Sequence, residues 1–258
     1  MNMIVCVKQV PSSNEVRLDP VKKTIIRDSS NAVTNPFDVT AVEAAVRIRE
    51  KSGGTVTVLS MGIPATERLL RDEIARGADR AVLLTDRAFA GADTLATSYT
   101  LSLAVQKLEK PDLILCGKMA TDGDTAQIGP ELAQHLGIPC VTDVTGLCEV
   151  NEKDIICERN TDSGTEKVKV SLPAVITVVK ALTQPRLPSI EGIKRSLKAD
   201  VLVMDADTLG ADPARIGLDG SPTQVIRTFP QEEKGAAEEI KGTLKEAADT
   251  VKKLWEEL

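Results

Sequence analysis

The chain has 258 residues, 42% of them hydrophobic, and carries a net charge of −6 with a pI near 5.1. That length suits one large domain or a main domain with an appendage. The acidic balance, with only 2% aromatics, excludes the basic stripe and stacking platform of a nucleic-acid partner.

In chain order, "MIVCVKQV" at residues 3–10 is a continuous apolar run and predicts a buried parallel strand. The apolar start has neither a basic segment nor a cleavage site, and no run reaches the length of a membrane helix, so the expectation is a cytoplasmic protein without membrane insertion. "VRLDPVKKTIIR" holds two short strand-like pieces around Asp19-Pro20 and predicts a hairpin. "NPFDVTAVEAAVRIREK" predicts a helix with Asn35 as N-cap, Pro36 as first residue, and Ala41, Val42, Ala45 and Ile48 on its buried face. A strand over 53–62, a helix stopped by Gly77, and a strand in "ADRAVLLTD" follow. A helix from Asp93 to Pro111, the strand "DLILCG" and a helix in "DTAQIGPELAQHLG" complete the series. Such alternation predicts an α/β fold, an open and mostly parallel sheet flanked by helices.

The pattern changes near Val141. Two stretches read as antiparallel strands with charged hairpins, turning at Lys153-Asp154 and at Asp162-Ser163-Gly164, and extend the sheet or form a ribbon on it. "TQPRLPSIEGIKRS" predicts a proline-rich loop and a short helix, and "GLDGSPTQVIRTFP" an extended, turn-rich segment. The last segment is a charged helix with Ile240, Leu244, Ala247, Val251, Leu254 and Leu258 on a narrow apolar stripe. That stripe packs either on its own domain or on a partner. The chain accordingly divides into an α/β domain over 1–228 and a C-terminal arm helix over 229–258.

Five cysteines without a CxxC read as reduced thiols, and the single histidine, His135, excludes a His-rich zinc site and a triad with a second histidine. Ligands of an open parallel sheet bind at the carboxyl ends of its strands. Four loops converge there: "CVKQVPSSNE", "LSMGIPATE", "TDRAFAGADT" and "CGKMATDGDT". No G-x-G-x-x-G follows the first strand, and no P-loop motif occurs. "ATDGDTAQ" has features of an anion site: Gly123 permits close backbone approach, Asp124 or Thr125 can cap the next helix, and the N–H groups of Thr125, Ala126 and Gln127 lie at its positive end. Asp122 and Asp124 would repel a phosphate and must turn away, one to cap and one to hold the loop or accept from a ribose. The alternative is a capped acidic turn with no ligand. Two carboxylates alone fall short of a calcium loop.

"CVKQVP", "NPFDVTAVEAAVRIRE", "GADRAVLLTDRAFAGADTLATS", "DLILCGKMATDGDTAQIGPELAQHLGIP", "PRLPSIEGIKRS" and "GSPTQV" occur in this order. Together they resemble the beta (small) subunit of electron transfer flavoproteins, across nearly the whole chain. The resemblance implies an adenine-nucleotide-alpha-hydrolase-like sheet and a heterodimer with an alpha subunit that carries FAD. It implies a second nucleotide in the beta subunit: structural AMP in the respiratory branch, or FAD accepting hydride from NADH in the electron-bifurcating branch of anaerobes. Carried over residue by residue, Val7, Asn35, Asp38, Met61 and Gly62 take the adenine and ribose side. Gly117, Ala120, Asp122, Gly123, Asp124, Thr125, Ala126 and Gln127 take the phosphate side. "TDRAFAGADTLATS" looks like the bifurcating version, with Phe89, Gly91, Ala92, Asp93 and Thr94 near the isoalloxazine and Arg87 pairing with a pyrophosphate or standing in solvent. "GSPTQV" looks like that version too, with Ser221, Thr223 and Gln224 donating to a flavin edge or forming a proline turn at the subunit interface.

Residues 183–196 resemble a loop that docks acyl-CoA dehydrogenases. Ile190 stands at the family's anchoring leucine, which leaves room for a lactate-type dehydrogenase instead. The implied role is an electron-carrier subunit, part of an NADH-dependent complex that sends one electron to ferredoxin or flavodoxin and one through the alpha FAD to a dehydrogenase. No side chain is then needed as nucleophile or base. Two alternatives stay open: an AMP-holding shuttle subunit, and a non-redox adenine-nucleotide-binding regulator.

Overall fold

A computed structural model describes residues 1–12, 32–226, 239–240 and 242–256. The hairpin expected at 16–27 lies outside them. By contacts the chain forms two units, Met1–Val225 and Ile226–Leu258.

The first unit begins with β1 (Asn2–Cys6), β2 (Gln9–Pro11) and β3 (Ala32–Thr34), followed by α1 (Pro36–Ser52), β4 (Thr55–Met61), α2 (Glu67–Arg76) and β5 (Arg80–Leu84). Then come α3 (Thr94–Lys107), β6 (Leu113–Gly117) and α4 (Ile128–Leu136). β7 (Cys140–Val150), β8 (Asp154–Thr161), β9 (Gly164–Ser171) and β10 (Ala174–Val178) precede α5 (Ile190–Lys198), β11 (Val201–Met204) and α6 (Ala206–Leu209). The main sheet has nine strands in the order β11-β5-β4-β1-β6-β10-β7-β8-β9. It is parallel from β11 through β7 and antiparallel at β8 and β9.

Parallel strands inside a sheet are covered on both faces, and the central ones here are mainly apolar. β10, for example, is buried at every residue. One face packs Ala41, Val42, Ala45 and Ile48 of α1 with Leu70 and Ile74 of α2. The other packs Tyr99 and Leu101 of α3 with Leu132 of α4 and Leu209 of α6. Gly77 ends α2 at φ 133°, and Gly137 ends α4 in the left-handed region at φ 66°.

Four readings of the sequence are revised. Residues 3–10 are not one strand: β1 stops at Cys6, and Gln9–Pro11 pairs antiparallel with Ala32–Thr34 in a separate small sheet. The helix after β6 begins at Ile128, because Asp124 and Ala126 have φ of 54° and 55° and so lie outside helical geometry. Neither Asp124 nor Thr125 therefore caps it; Gln127 occupies the N-cap position and its side chain makes no capping bond. The run "EKVKVSLPAVITVVK" is split before Pro173, so β9 is antiparallel while β10 inserts parallel between β6 and β7. β11 and α6 were not foreseen.

The second unit has one described helix, α7 (Leu244–Glu256), with no buried residue. Leu244, Ala247, Val251 and Leu254 all fall on it, joined by Trp255, and Leu258 lies outside the described residues.

Candidate functional site

The chain runs outward from β1 through β4 to β5, then crosses back to β6 on the other side of β1. The reversal falls between β1 and β6, and their carboxyl ends open the crevice where such sheets bind ligands. The amino end of α1 closes over this point. Asp38 accepts from the backbone N–H of Lys8 at 2.8 Å and of Gly117 at 3.1 Å, tying the exits of β1 and β6 together. A Cβ on residue 117 would stand 2.2 Å from Asp38 Oδ1 and 2.6 Å from Phe37 Cβ, so glycine is required by the closeness of α1. Burial pushes the Asp38 carboxyl up to about 7 against the pull of its hydrogen-bond donors.

Asn35 stands at the N-cap position, yet its side chain does not cap α1. Its amide donates to the Met119 carbonyl at 2.9 Å and its oxygen accepts from Thr121 N–H at 3.3 Å. The polar residues at the start of α1 thus hold the loop leaving β6. Lys8 grips the same loop from β1, its Nζ 2.7 Å from Asp122. That ion pair answers the charge problem of the acidic loop: Asp122 is turned to a lysine and neutralised in place. Lys8 was missed in the sequence; its signal is a lysine just past the first strand, opposite an acidic loop.

Beyond Asp122 the backbone passes through Asp124 and Ala126 at positive φ. Non-glycine residues in that region carry strain of about 1 kcal/mol or more and concentrate at ligand sites. The N–H groups of Gly123 and Asp124 go to the Ala120 carbonyl. Those of Thr125, Ala126 and Gln127 meet no acceptor among the described residues. They lie just before α4, whose dipole favours an anion. Among the described residues, no atom is nearer to the Cβ position of Gly123 than Lys8 Nζ at 4.0 Å, so they leave this edge open. The donors fit a phosphate group.

Val7 and the end of β4 form the adjoining wall. Val7 N–H donates to Leu59, and Gly62 N–H to Leu84. A Cβ at Gly62 would stand 2.5 Å from Thr66 Oγ1, which itself donates to Gln9 at 2.6 Å.

A second polar ledge forms at the start of α3. Asp93 caps this helix by accepting from Ala96 N–H at 3.1 Å. It also accepts from the N–H and hydroxyl of Thr223 at 3.0 and 2.8 Å, while its own N–H donates to Ser221 Oγ at 2.8 Å. Burial, the largest single influence, pushes the Asp93 carboxyl up, but the donors together outweigh it and hold it below the usual carboxylate range. Gly91 has φ 77°, and its Cβ position lies 3.2 Å from Leu218 Cβ, bringing the two segments into contact. Thr94 hydroxyl donates to Gln127 at 3.0 Å and lies 3.1 Å from Glu131, so this ledge is joined to the phosphate-side loop.

The structure therefore brings together Val7, Asn35, Asp38, Gly117, Ala120 and Asp122, and links Gln127 through Thr94 and Asp93 to Ser221 and Thr223. Ala92 lies beside the ledge, its N–H donating to the Phe89 carbonyl at 3.4 Å. Phe89 is buried in the core beneath it. Arg87 and Gln224 are exposed, and their side chains make no hydrogen bond or ion pair among the described residues. Ile190 lies on α5, 77% exposed. No helix of the described residues is long and apolar enough to cross a membrane, and no group of three metal-ligating side chains occurs among them.

The family model described as "Electron transfer flavoprotein domain" matches residues 22–209. The chain is 48% identical to the electron transfer flavoprotein subunit beta of Thermoanaerobacterium thermosaccharolyticum, over 97% of this chain and 96% of that protein. It is 44% identical to the caffeyl-CoA reductase-Etf complex subunit CarD of Acetobacterium woodii, over 94% and 93%. Protein FixA of Azorhizobium caulinodans is 43% identical, over 89% and 84%. The fold and these relatives agree, and the chain belongs to the electron transfer flavoprotein family, among its beta subunits.

Proposed function

We propose that the chain pairs with an alpha subunit and holds FAD in the crevice between β1 and β6. In this reading it takes reducing equivalents from NADH and passes them to ferredoxin or flavodoxin and, through the alpha FAD, to a dehydrogenase. The observation that carries FAD over AMP is the bond from Thr94 to Gln127. It continues the polar surface past the phosphate end of the crevice onto the Asp93, Ser221 and Thr223 ledge, and a mononucleotide has no use for that extension. Likeness to a subunit named for a caffeyl-CoA reductase-Etf complex supports an acyl-CoA-type redox enzyme as the partner.

When bound, the flavin supplies the hydride and one-electron chemistry. The chain's own residues bind and orient. Thr125, Ala126 and Gln127 offer backbone donors to phosphate oxygens, and Lys8 keeps Asp122 from opposing them. Arg87, free of other partners among the described residues, supplies a cation to a pyrophosphate. Asp38 has both oxygens occupied by backbone N–H groups, so its part is to fix the crevice floor. Ile190 docks the dehydrogenase, and α7 lies on the alpha subunit.

The test is a nucleotide count on the heterodimer purified without oxygen. Two FAD and no AMP per heterodimer is expected. One FAD and one AMP would overturn the NADH chemistry and leave a shuttle subunit with a structural nucleotide.

A further inference from the structure

The loop before α5 is anchored far more heavily than a solvent loop needs. Arg186 donates through Nε and Nη2 to Glu43 of α1 at 2.8 and 3.2 Å, and through Nη1 and Nη2 to Glu50 at 2.5 and 3.0 Å. Its backbone N–H donates to Glu43 as well, at 3.1 Å, and its carbonyl accepts from Arg76 of α2 at 2.9 Å. Two residues earlier, the Gln184 carbonyl accepts from Arg47 at 3.3 Å. Three residues later, Ser189 caps α5 by accepting from Gly192 N–H at 2.9 Å. Glu43 is only 3% exposed, a buried carboxylate whose cations are Arg186 and Arg47. A charge buried on a core helix is costly unless paired. Here the pair fixes a loop.

What the loop carries is apolar and in water. Leu187 is 84% exposed and Ile190 77%, and Leu197, on the same face of α5, is 74% exposed. Lys194 and Lys198 stand beside them, while Arg195 is drawn inward to the Ile74 and Ala78 carbonyls. The isolated chain gains no burial by ordering this ridge. A binding partner does, because a preformed ridge loses less conformational freedom on docking.

We infer that Arg186 is the positioning residue that holds the Leu187–Ile190 ridge in its docking form. This rests on the docking reading of Ile190 given above. The experiment uses the intact heterodimer with a purified acyl-CoA dehydrogenase as the probe. It compares wild type, Arg186→Lys, Arg186→Gln and Ile190→Ala, and reads KM for the probe, kcat, bound nucleotide and amide exchange over 184–190. The expected result is that Arg186→Gln raises KM about tenfold, with kcat and nucleotide content unchanged and exchange faster in the loop. Arg186→Lys, which keeps the charge and loses the double fork, falls between. If Ile190→Ala raises KM while both Arg186 variants behave as wild type, the ridge docks without the clamp and this inference fails. If Ile190→Ala also leaves KM unchanged, or the wild type does not turn over the probe, the docking reading itself falls and takes the inference with it.

Discussion

Asp38 and Glu73 are carboxyls held where ionisation is costly. Asp38 has two backbone donors; Glu73 is 1% exposed, with Arg76 Nε 3.6 Å away and beyond hydrogen-bond distance. Burial, the leading cause for both, pushes each up to about 7 from ordinary values of 3.8 and 4.5. The fold therefore favours their protonated forms. That stability is fully present below the unfolded pKa and is lost as pH rises through about 7. We expect denaturation midpoints to fall between about pH 5 and about pH 8, each carboxyl withdrawing on the order of 2 kcal/mol. His135 opposes this, since burial and Arg215 lower its pKa and its contribution grows as pH rises through its unfolded value. The double variant Asp38→Asn, Glu73→Gln isolates the carboxyl part. Its midpoint should be flat or should rise with pH, and a wild-type slope in that variant would refute the assignment. Asp38 was legible only through the resemblance, as a residue of the adenine and ribose side, and its grip on two strand exits depends on neighbours 30 and 79 residues away in the chain. Glu73 was not legible, because a glutamate in "ERLLRDEIARG" looks like an ordinary surface residue until the packing of α2 places it inside.

Among the elements, the parallel core was readable because strands such as β1 and β6 are mainly apolar runs and α2 and α4 carry glycine stops. What failed were joints set by long-range contacts: the turn of the chain at Lys8, the insertion of β10, and the delayed start of α4. In α4 the misleading signal was local, since Asp124 and Thr125 are good caps by type, yet the backbone at 124 and 126 is spent on the loop. The clasp at the start of α3 was half visible. Asp93, Ser221 and Thr223 were each named, but only the fold joins them across about 130 residues of chain. Asp93→Ala removes a helix cap and both bonds from Thr223. The cap alone is worth about 1 kcal/mol, so thermal unfolding should shift down by a few degrees. Cleavage by protease in 217–225 should quicken well beyond that global loss, because the segment's tie to α3 is gone. Thr223→Val should give the faster cleavage with little change in melting. Equal cleavage rates in wild type and Asp93→Ala would mean the clasp does not hold the segment.

For the molecule as a whole, every side chain of the two core clusters lies between Met3 and Ile216, inside the first unit. No described residue of the second unit is among them. Its helix α7 exposes Leu244 at 92%, Trp255 at 79%, Val251 at 54% and Leu254 at 52%. An apolar stripe on a charged helix is a poor bargain in water unless another surface covers it. The sequence already carried that stripe as an alternation of spacings of four and three, although Trp255 was absent from the list. A chain ending at Val225 should therefore unfold with a midpoint within a few degrees of the full chain, since the area lost is not core. It should also lose association with the alpha subunit. The paired substitution Val251→Asp, Leu254→Asp in the full chain makes the same test without truncation. Circular dichroism and melting should stay as in wild type, while co-purification of the alpha subunit drops by at least tenfold, as expected when interface anchors are replaced by charges. A large fall in melting temperature of the isolated subunit would show instead that α7 packs on its own domain, and the arm would have to be reassigned as part of one fold.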